Sequence, residues 1–227
     1  MGVDKEKKML STRPRSRKVK NSLEGLAVAI TGIFGAGKST VAGILREKRI
    51  PVVDCDRLAH EILQKPEITE KIKQSFGQEV FNSAGKIDRR RLAAVVFRDK
   101  EKRKYLEKIV HPLVFSRLQK KMLDYRKTGS KIVAAEIPLL FETKAEKLFD
   151  YVIAVYAHPE VIKQRLKGRF TTDQILRRWK SQWPQEKKKG KADFTVDNSR
   201  SLSHTRNQVE TIIRKWYQLL KFRNHHC

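Results

Sequence analysis

The chain has 227 residues, which is enough for a sizeable core and suggests one catalytic domain with insertions. Its 51 lysines and arginines outnumber 25 acidic residues, and the net charge of +26 favours polyanionic partners such as nucleotides, nucleic acid or an anionic membrane. Two cysteines exclude a disulfide framework, and no apolar run is long enough for a membrane span or a secretion signal. We therefore expect a soluble protein of a reducing compartment, located in the cytoplasm.

A basic tail opens the chain. Residues 1–22 contain eight lysines and arginines and two acids, a composition typical of a disordered segment. A transit peptide and a nucleic-acid-binding arm are both alternatives, and Asp4 and Glu6 argue against the former. We prefer a solvated tail, or a start codon placed too early.

A glycine-rich segment follows the first apolar stretch, residues 26–30, which is typical of a strand buried on both faces. Residues 32–39 match every position of the G-x-x-x-x-G-K-[ST] phosphate loop. Gly32, Gly35 and Gly37 lack a Cβ, so the backbone can turn sharply and bring several N–H groups to phosphate oxygens. The glycine spacing is G-x-x-G-x-G, which fits a dinucleotide-binding Rossmann loop poorly.

The residues that end the loop supply charge and a metal ligand. Lys38 brings a mobile positive charge to the β- and γ-phosphates, and the Ser39 hydroxyl can enter the shell of Mg²⁺. The segment from Thr40 onward has a helical pattern, which places the positive end of a helix against the anion. The sequence therefore predicts a strand, a phosphate loop and a helix in succession.

Two carboxylates end a second predicted strand, residues 50–56. Ligands gather at the carboxyl ends of parallel strands, and in an extended chain Asp54 and Asp56 point to the same side. Asp56 is either a catalytic carboxylate or the N-cap of a helix that begins at Arg57, and its position leaves these two roles equal.

Residues 57–127 are mostly helical by pattern. We predict one helix from Glu67 to Phe76, stopped by Gly77, and another over residues 89–97, capped by Asp88. The whole stretch is too long for one crossover helix, so we expect a helical insertion that holds the acceptor substrate.

His111 precedes Pro112 within a run of apolar residues at helical spacing. Because proline is comfortable in the first turn of a helix, we expect a bend or a new helix start at this point. His111 either contacts a substrate or has the structural role that a lone histidine at a helix start more often has.

The third predicted strand runs from Lys131 to a carboxylate, Glu136. An apolar strand followed by a carboxylate suits a ligand of Mg²⁺, or of its bound water, beside a phosphate loop. Strands at residues 150–157 and 192–198 complete the sheet, and a final amphipathic helix around residues 209–220 packs on the core.

Two short arginine-rich helices after the fourth strand suit a lid that closes over a nucleotide. Arg165 and Arg169 are four residues apart in the first, residues 158–169, so they share one helix face. A capping box opens the second, Asp173 to Trp183. The lysine-rich run at residues 187–191 is interpreted as a solvated hinge.

These motifs together resemble those of the dephospho-coenzyme A kinase family, over about residues 26–216. The Asp-x-Asp, His-Pro and Pro-Leu-Leu pieces separate this family from other nucleotide kinases. The matching pieces in chain order are Thr31-Gly32, Gly35 to Thr40, Val53 to Asp56 with Ala59, Phe76-Gly77, Asp88 to Leu92, Leu106 with His111-Pro112, Pro138 to Glu142, Gln164 to Leu166 with Arg169, Arg178 with Gln182, Ala192-Asp193 and Asp197-Asn198.

The resemblance implies transfer of the γ-phosphoryl group of ATP to the ribose 3′-hydroxyl of dephospho-coenzyme A, the last step of coenzyme A biosynthesis, with Mg²⁺ as cofactor. Asp56 matches the family's proposed base, and Arg165 and Arg169 match its lid arginines. We expect catalysis from Asp56, Lys38 and Arg165, by positioning and charge neutralisation. The expected ATP ligands are Gly35, Ala36, Gly37, Lys38, Ser39, Thr40, Arg165, Arg169 and Asn198; the acceptor ligands are Asp54, Asp56 and His111; and the metal ligands are Ser39 and Glu136.

Several positions depart from the family's usual pattern. A glycine usually stands at the position of Ile33, an aspartate at that of Phe170 and a small aliphatic residue at that of Trp179. The side chain of Phe34 is unusually bulky for its place in the loop. Because these positions lie in the loop and the lid, they bear on nucleotide affinity and lid closure more than on the reaction.

The predicted fold is the α/β fold of P-loop kinases, with three layers, a five-stranded parallel sheet, a helical acceptor-binding insertion and a small helical lid. The expected segments are the tail at 1–22, core parts at 23–57, 129–157 and 192–227, the coenzyme A-binding insertion at 58–128, and the lid at 158–191.

Two other functions remain open from the residues alone. Another P-loop kinase of small molecules, such as a nucleoside monophosphate kinase, would share the loop and differ in its acceptor. A nucleic-acid-binding protein would explain the charge, but the sequence contains no recognisable nucleic-acid module. We expect ATP and dephospho-coenzyme A as partners, and neither a membrane nor nucleic acid; the oligomeric state is not predicted.

Overall fold

The structure, a computed structural model, describes residues 25–224. It divides into two compact units, one formed by the chain up to Val53 together with the chain from Met122 onward, and the other by Asp54–Lys121. The predictions for the basic tail at residues 1–22 lie outside the described residues.

A five-stranded sheet forms the centre of the first unit, with strand order β2-β3-β1-β4-β5. The central strand β1 is buried along its whole length because its sequence, LAVAIT, is almost entirely apolar. It runs parallel to β3 and β4, and β4 runs parallel to β5. The predicted α/β fold with a five-stranded parallel sheet is therefore confirmed. The strands are β1 (Leu26–Thr31), β2 (Val52–Asp54), β3 (Ile132–Glu136), β4 (Tyr151–Tyr156) and β5 (Phe194–Asp197).

Two helices cover part of this sheet: α1 (Lys38–Glu47) and the C-terminal helix α9 (Leu202–Asn224). Their apolar faces join the side chains of the strands in one buried cluster. Trp216 of α9 is fully buried and meets the ring of Phe194 edge-on, with centroids 6.1 Å apart. The interpretation of the last helix as core packing is thus confirmed.

The second unit is helical. Gly77 ends α3 with a φ of 77°, and the Asp88 carboxylate caps α4 by accepting hydrogen bonds from the N–H groups of Arg90 and Arg91. Both features match the sequence prediction. The helices that begin in this unit are α2 (Cys55–Leu63), α3 (Pro66–Phe76), α4 (Arg89–Arg98) and α5 (Lys100–Lys127).

The expected new helix start at His111-Pro112 is wrong, because α5 continues through Pro112 as one helix. A proline in a helix interior removes one backbone hydrogen bond. Val110, Val114 and Leu118 form a buried face around this point. We attribute the continuity of the helix to that buried face, which outweighs the lost hydrogen bond.

Three short helices lie between β4 and β5: α6 (Pro159–Leu166), α7 (Thr172–Lys180) and α8 (Gln185–Lys191). The predicted capping box opens α7, where the Thr171 hydroxyl accepts from the N–H of Gln174. The lysine-rich run at residues 187–191 belongs to α8, so its interpretation as a solvated hinge is wrong. A run of lysines usually indicates a solvated segment, but one lysine of this run, Lys188, is buried and only 1% exposed.

Candidate active site

The phosphate loop joins β1 to α1, and its glycines stand where no other residue fits. Gly37 has a φ of 94°, and a Cβ there would lie 1.8 Å from Nδ2 of Asn198. A Cβ on Gly32 would lie 2.3 Å from the carbonyl oxygen of Val155 in β4. The close approach of the backbone that the sequence predicts is therefore present.

Lys38 lies across this loop. Its side chain is 9% exposed, and Nζ donates to the carbonyl oxygens of Gly32 and Ile33, each at 3.2 Å. The N-cap residue of α1 is Gly37, which has no side chain that could cap the helix. Ser39 is exposed in the first turn of the same helix. A mobile cation, backbone donors and a hydroxyl thus meet at one helix N-terminus, as an anionic ligand requires.

Asn198 supports the loop from behind. It is 4% exposed, and its Nδ2 donates to the carbonyl oxygen of Ala36 at 3.0 Å. Its Oδ1 accepts from the Thr205 hydroxyl at 2.9 Å, so both ends of the amide bond to protein groups. Asn198, predicted as an ATP ligand, is placed to fix the backbone of the loop.

Glu136 ends β3 and lies in register with Ile30, one residue before the end of β1. Its side chain is half-buried at the carboxyl end of the sheet, where the phosphate loop begins. Between Gly25 and Asn224, no group of three or more histidine, cysteine, aspartate or glutamate residues is arranged to hold a metal ion. A metal at this edge would therefore need ligands from water or substrate besides Ser39 and Glu136.

The two carboxylates after β2 have different roles in the local structure. The Asp54 carboxylate accepts from the N–H of Arg57 at 3.0 Å and is the N-cap of α2. The helix begins at Cys55, so Asp56 lies in its first turn and is exposed. The cap considered for Asp56 therefore belongs to Asp54, and the expectation that both carboxylates lie on extended chain is wrong. The difference arises because the helix starts two residues earlier than predicted.

His111 lies in α5, in the same unit as Asp54 and Asp56. Its ring is half-buried and packs on Phe115 with centroids 6.0 Å apart. Burial lowers the pKa of His111, while the nearby Glu107 carboxylate raises it by a smaller amount. The neutral imidazole is therefore favoured at this site.

Arg165 and Arg169 are both exposed, but only Arg165 lies in α6. The helix ends at Leu166, and Gly168 turns the chain with a φ of 80°. The argument that the two arginines share one helix face is therefore wrong, since Arg169 follows the turn. The structure places both in the same unit as the phosphate loop.

Sequence reasoning missed a buried ion pair beside the site. Nζ of Lys188 donates to the carbonyl oxygen of Pro138 at 2.7 Å and lies 2.8 Å from Oε1 of Glu142. Glu142 also accepts from the N–H of Trp183 at 2.7 Å, so the pair ties the segment after β3 to α8. Burial lowers the pKa of Lys188, opposed by its hydrogen bond to Glu142. The only signal in the sequence was the motif from Pro138 to Glu142, to which the sequence analysis assigned no role.

Two hydrogen bonds to the backbone of Phe34 were also not predicted from the sequence. Its backbone N–H donates to Oε1 of Gln182 at 2.8 Å, and its carbonyl oxygen accepts from the indole N–H of Trp179 at 2.9 Å. Gln182 belongs to a matched motif and Trp179 is a departure from the family's pattern, so both were visible without a role. The loop is thus held from the side by α7 and the residues after it.

The parallel sheet and its G-x-x-x-x-G-K-S loop define a P-loop nucleotide-binding protein. A family model for dephospho-CoA kinase matches residues 26–204. A dephospho-CoA kinase of Bacillus thuringiensis subsp. konkukian is 38% identical over 194 residues, covering 84% of this chain and 97% of the relative. One from Carboxydothermus hydrogenoformans is 38% identical over 192 residues, 83% of this chain and 93% of the relative. The chain belongs to the dephospho-CoA kinase family.

Solved structures agree with this membership. The protein TT1252 from Thermus thermophilus has a TM-score of 0.74 at 32% identity, over 85% of this chain and 98% of its own. A dephospho-CoA kinase from Campylobacter jejuni has a TM-score of 0.58 at 28% identity, over 84% and 97% respectively. The predicted family, enzyme class and function, those of an ATP-dependent dephospho-CoA kinase, are confirmed, ahead of a kinase with another acceptor or a nucleic-acid-binding protein. Among the helices of residues 25–224, none combines the length and hydropathy needed to cross a membrane.

Proposed function

We propose that this chain transfers the γ-phosphoryl group of ATP to the ribose 3′-hydroxyl of dephospho-coenzyme A with the residues described above. One observation carries the assignment of residues: Nζ of Lys38 lies against the carbonyl oxygens of a glycine loop that leads into α1 at Gly37. Phosphoryl transfer leaves little covalent chemistry to the protein, so these residues act by positioning and by neutralising charge.

The nucleotide would be held by the loop from Gly35 to Thr40. In the structure Nζ of Lys38 donates to two loop carbonyls, and it would exchange these acceptors for phosphate oxygens of higher charge. Arg165 and Arg169 are exposed near the end of α6, where their guanidinium groups are accessible to an anion. We assign both to charge neutralisation on the transferring group, and Asn198 to support of the loop.

We propose Mg²⁺ as the cofactor, held by Ser39 and Glu136. An exposed hydroxyl and a carboxylate are oxygen donors, which this ion prefers, and it usually retains waters and substrate phosphates as its other ligands. The ion, when bound, neutralises phosphate charge.

We propose that Asp56 orients the acceptor hydroxyl and accepts its proton. Its exposed position in the first turn of α2 leaves the carboxylate accessible, and the Asp54 cap fixes the turn that carries it. Asp54 and His111 stay candidates for the acceptor site, since both lie in the same unit as Asp56. Because the transition state is loose, orientation by Asp56 matters more than its basicity.

The proposed organisation follows these roles. Residues 23–57, 129–157 and 192–227 form the nucleotide-binding core, residues 58–128 bind coenzyme A, and residues 158–191 form the lid. We also propose a cytoplasmic location, by analogy with the family to which the chain belongs. Fractionation of cells expressing the tagged full chain would test the location.

The decisive experiment incubates the full chain with ATP, Mg²⁺ and dephospho-coenzyme A and measures the product mass. The expected product is one phosphoryl group heavier and is absent with Lys38→Ala. Parallel reactions replace the acceptor with nucleoside monophosphates. A product formed only from a nucleoside monophosphate, or none from dephospho-coenzyme A, would refute the proposal.

A further inference from the structure

An aromatic cluster joins the phosphate loop to α7. The ring of Phe34 in the loop meets the ring of Phe170 edge-on, with centroids 5.1 Å apart and planes at 89°. The Arg178 guanidinium lies over both rings, 4.9 Å from the centroid of Phe34 and 4.7 Å from that of Phe170. We call Phe34, Phe170, Arg178 and Trp179 the aromatic clamp.

The clamp fixes one loop residue at both of its backbone polar groups. The indole N–H of Trp179 donates to the carbonyl oxygen of Phe34, and Gln182 accepts from its N–H. The N–H of Gln182 in turn donates to the carbonyl oxygen of Trp179 at 3.0 Å, which closes a short network. The peptide groups on either side of Phe34 therefore have little freedom to rotate.

An apolar base supports this network. Ile33 and Ala36 of the loop are buried together with Ile162 and Leu166 of α6, and the clamp rings pack against them. The approach is close: a Cβ added to Gly35 would lie 2.5 Å from Cγ2 of Ile162. The loop is thus held by packing on one side and by hydrogen bonds on the other.

The bulky loop residues and the bulky residues of the lid are in contact with each other. Phe34 packs on Phe170 and bonds to Trp179, so these large side chains are mutually complementary. A large side chain in the loop alone would disturb the loop. Matched by rings on the opposite element, it adds contacts that a loop of small residues does not make.

We propose that the aromatic clamp, through Trp179, positions the phosphate loop for nucleotide binding in this chain. A glycine-rich loop loses conformational freedom when it closes on phosphates, and a loop already held in one conformation loses less. Trp179 is a positioning residue, since it touches the loop backbone. The inference rests on the proposed function for its catalytic readout alone, because nucleotide affinity is measured separately.

The test compares Trp179→Phe with a matched control, Trp183→Phe. Trp179→Phe keeps an aromatic ring and removes the N–H that bonds to the loop. The Trp183 ring stacks on Phe141 with centroids 5.9 Å apart, and Nζ of Lys187 lies over the Trp183 ring at 3.8 Å from its centroid. None of these contacts involves the phosphate loop, so replacement of Trp183 spares it. KM and kcat for ATP, the Kd for Mg-ATP by calorimetry, and the thermal midpoint are measured for both.

We expect Trp179→Phe to raise both the KM and the Kd for ATP by roughly 3- to 10-fold, the effect of one lost hydrogen bond, with kcat unchanged within about twofold. The thermal midpoint should change little, and Trp183→Phe should match the wild type in affinity. A general loss of structure would instead lower kcat and the thermal midpoint together.

Wild-type KM and Kd in a folded Trp179→Phe variant would overturn the proposal. If that variant is unstable, Gln182→Met, which removes the other hydrogen bond to Phe34, decides: a raised Kd for ATP at unchanged thermal midpoint supports the clamp, and a wild-type Kd overturns it. If the wild type fails to phosphorylate dephospho-coenzyme A, the proposed function fails, and the Kd values still test the clamp.

Discussion

The phosphate loop and the start of α2 differ in how strongly the local backbone geometry restricts the residue type. In the loop, a Cβ on Gly37 would lie 1.8 Å from Asn198, so the backbone admits only glycine. At α2, Asp54 and Asp56 are the same residue type, yet one caps the helix and the other is exposed in its first turn. A motif is informative where geometry excludes alternatives, and ambiguous where one side chain serves either structure or chemistry.

Lys38→Ala should have the largest effect on turnover of any change in the loop. We expect turnover to fall by roughly 10³–10⁵-fold, the range for a positive charge that stabilises a transferring phosphoryl group. Turnover and the thermal midpoint should be measured together. Lys38→Met, which retains most of the buried stem, is the control for packing, and near-wild-type turnover in either folded variant would remove Lys38 from the mechanism.

Asp56→Asn tests the ambiguous region directly. If Asp56 orients and deprotonates the acceptor, turnover should fall by roughly 10²–10⁴-fold while the Kd for ATP is retained. Because the cap is Asp54, both Asp56→Asn and Asp56→Ala should change the free energy of unfolding by less than about 0.5 kcal/mol.

The matched control is Asp54→Ala, which should cost about 1 kcal/mol of stability through loss of the N-cap, whereas Asp54→Asn should keep it. Denaturant midpoints distinguish the two positions. A fully active Asp56→Asn variant would leave Asp54 as the next carboxylate to test.

The contrast also explains which predictions succeeded. Strong local rules located the strand before the loop, the Asp88 cap and the Thr171 capping box, because each depends on residues close in sequence. The role of Lys188 could not be predicted, since its partner Glu142 is 46 residues away and the residues on both sides of it are lysines too. Partners distant in the chain are fixed by the fold, and the sequence pattern around each residue does not reveal them.

Lys188→Met tests whether the missed ion pair stabilises the region beside the loop. Lys188 is 1% and Glu142 is 15% exposed, so the variant leaves a largely buried carboxylate without its cation. We expect a loss of about 3 kcal/mol in the free energy of unfolding. Combining it with Glu142→Gln should recover part of this loss, because no buried charge remains.

Lys189→Met is the matched control on the same helix. Lys189 is 28% exposed and pairs with Glu186, which is 77% exposed, so water screens this pair far more than the pair of Lys188 with Glu142. The expected change is within about 0.5 kcal/mol. Equal losses for Lys188→Met and Lys189→Met in urea titrations would contradict a special role for the buried pair.

The smallest expected effect concerns His111 in the helical unit. It is a change in how the free energy of unfolding depends on pH. Burial lowers the pKa of His111 below its ordinary value of 6.5. Between the folded-state pKa and 6.5, the unfolded chain binds more protons than the folded chain, so stability rises with pH across this window. Conversely, the contribution of His111 is complete above pH 6.5 and is lost as the pH falls through the folded-state pKa.

His111→Gln removes the titrating group at similar size. The wild type should therefore lose more stability than the variant when the pH falls below 6.5, and the two curves should be parallel above it. Denaturant titrations at several pH values measure this difference. Parallel curves over the whole range would show that the burial of His111 has no thermodynamic consequence. Binding of dephospho-coenzyme A at pH 7.5 is measured on the same variant. A folded His111→Gln variant that fails to bind it would place His111 in the acceptor site as well.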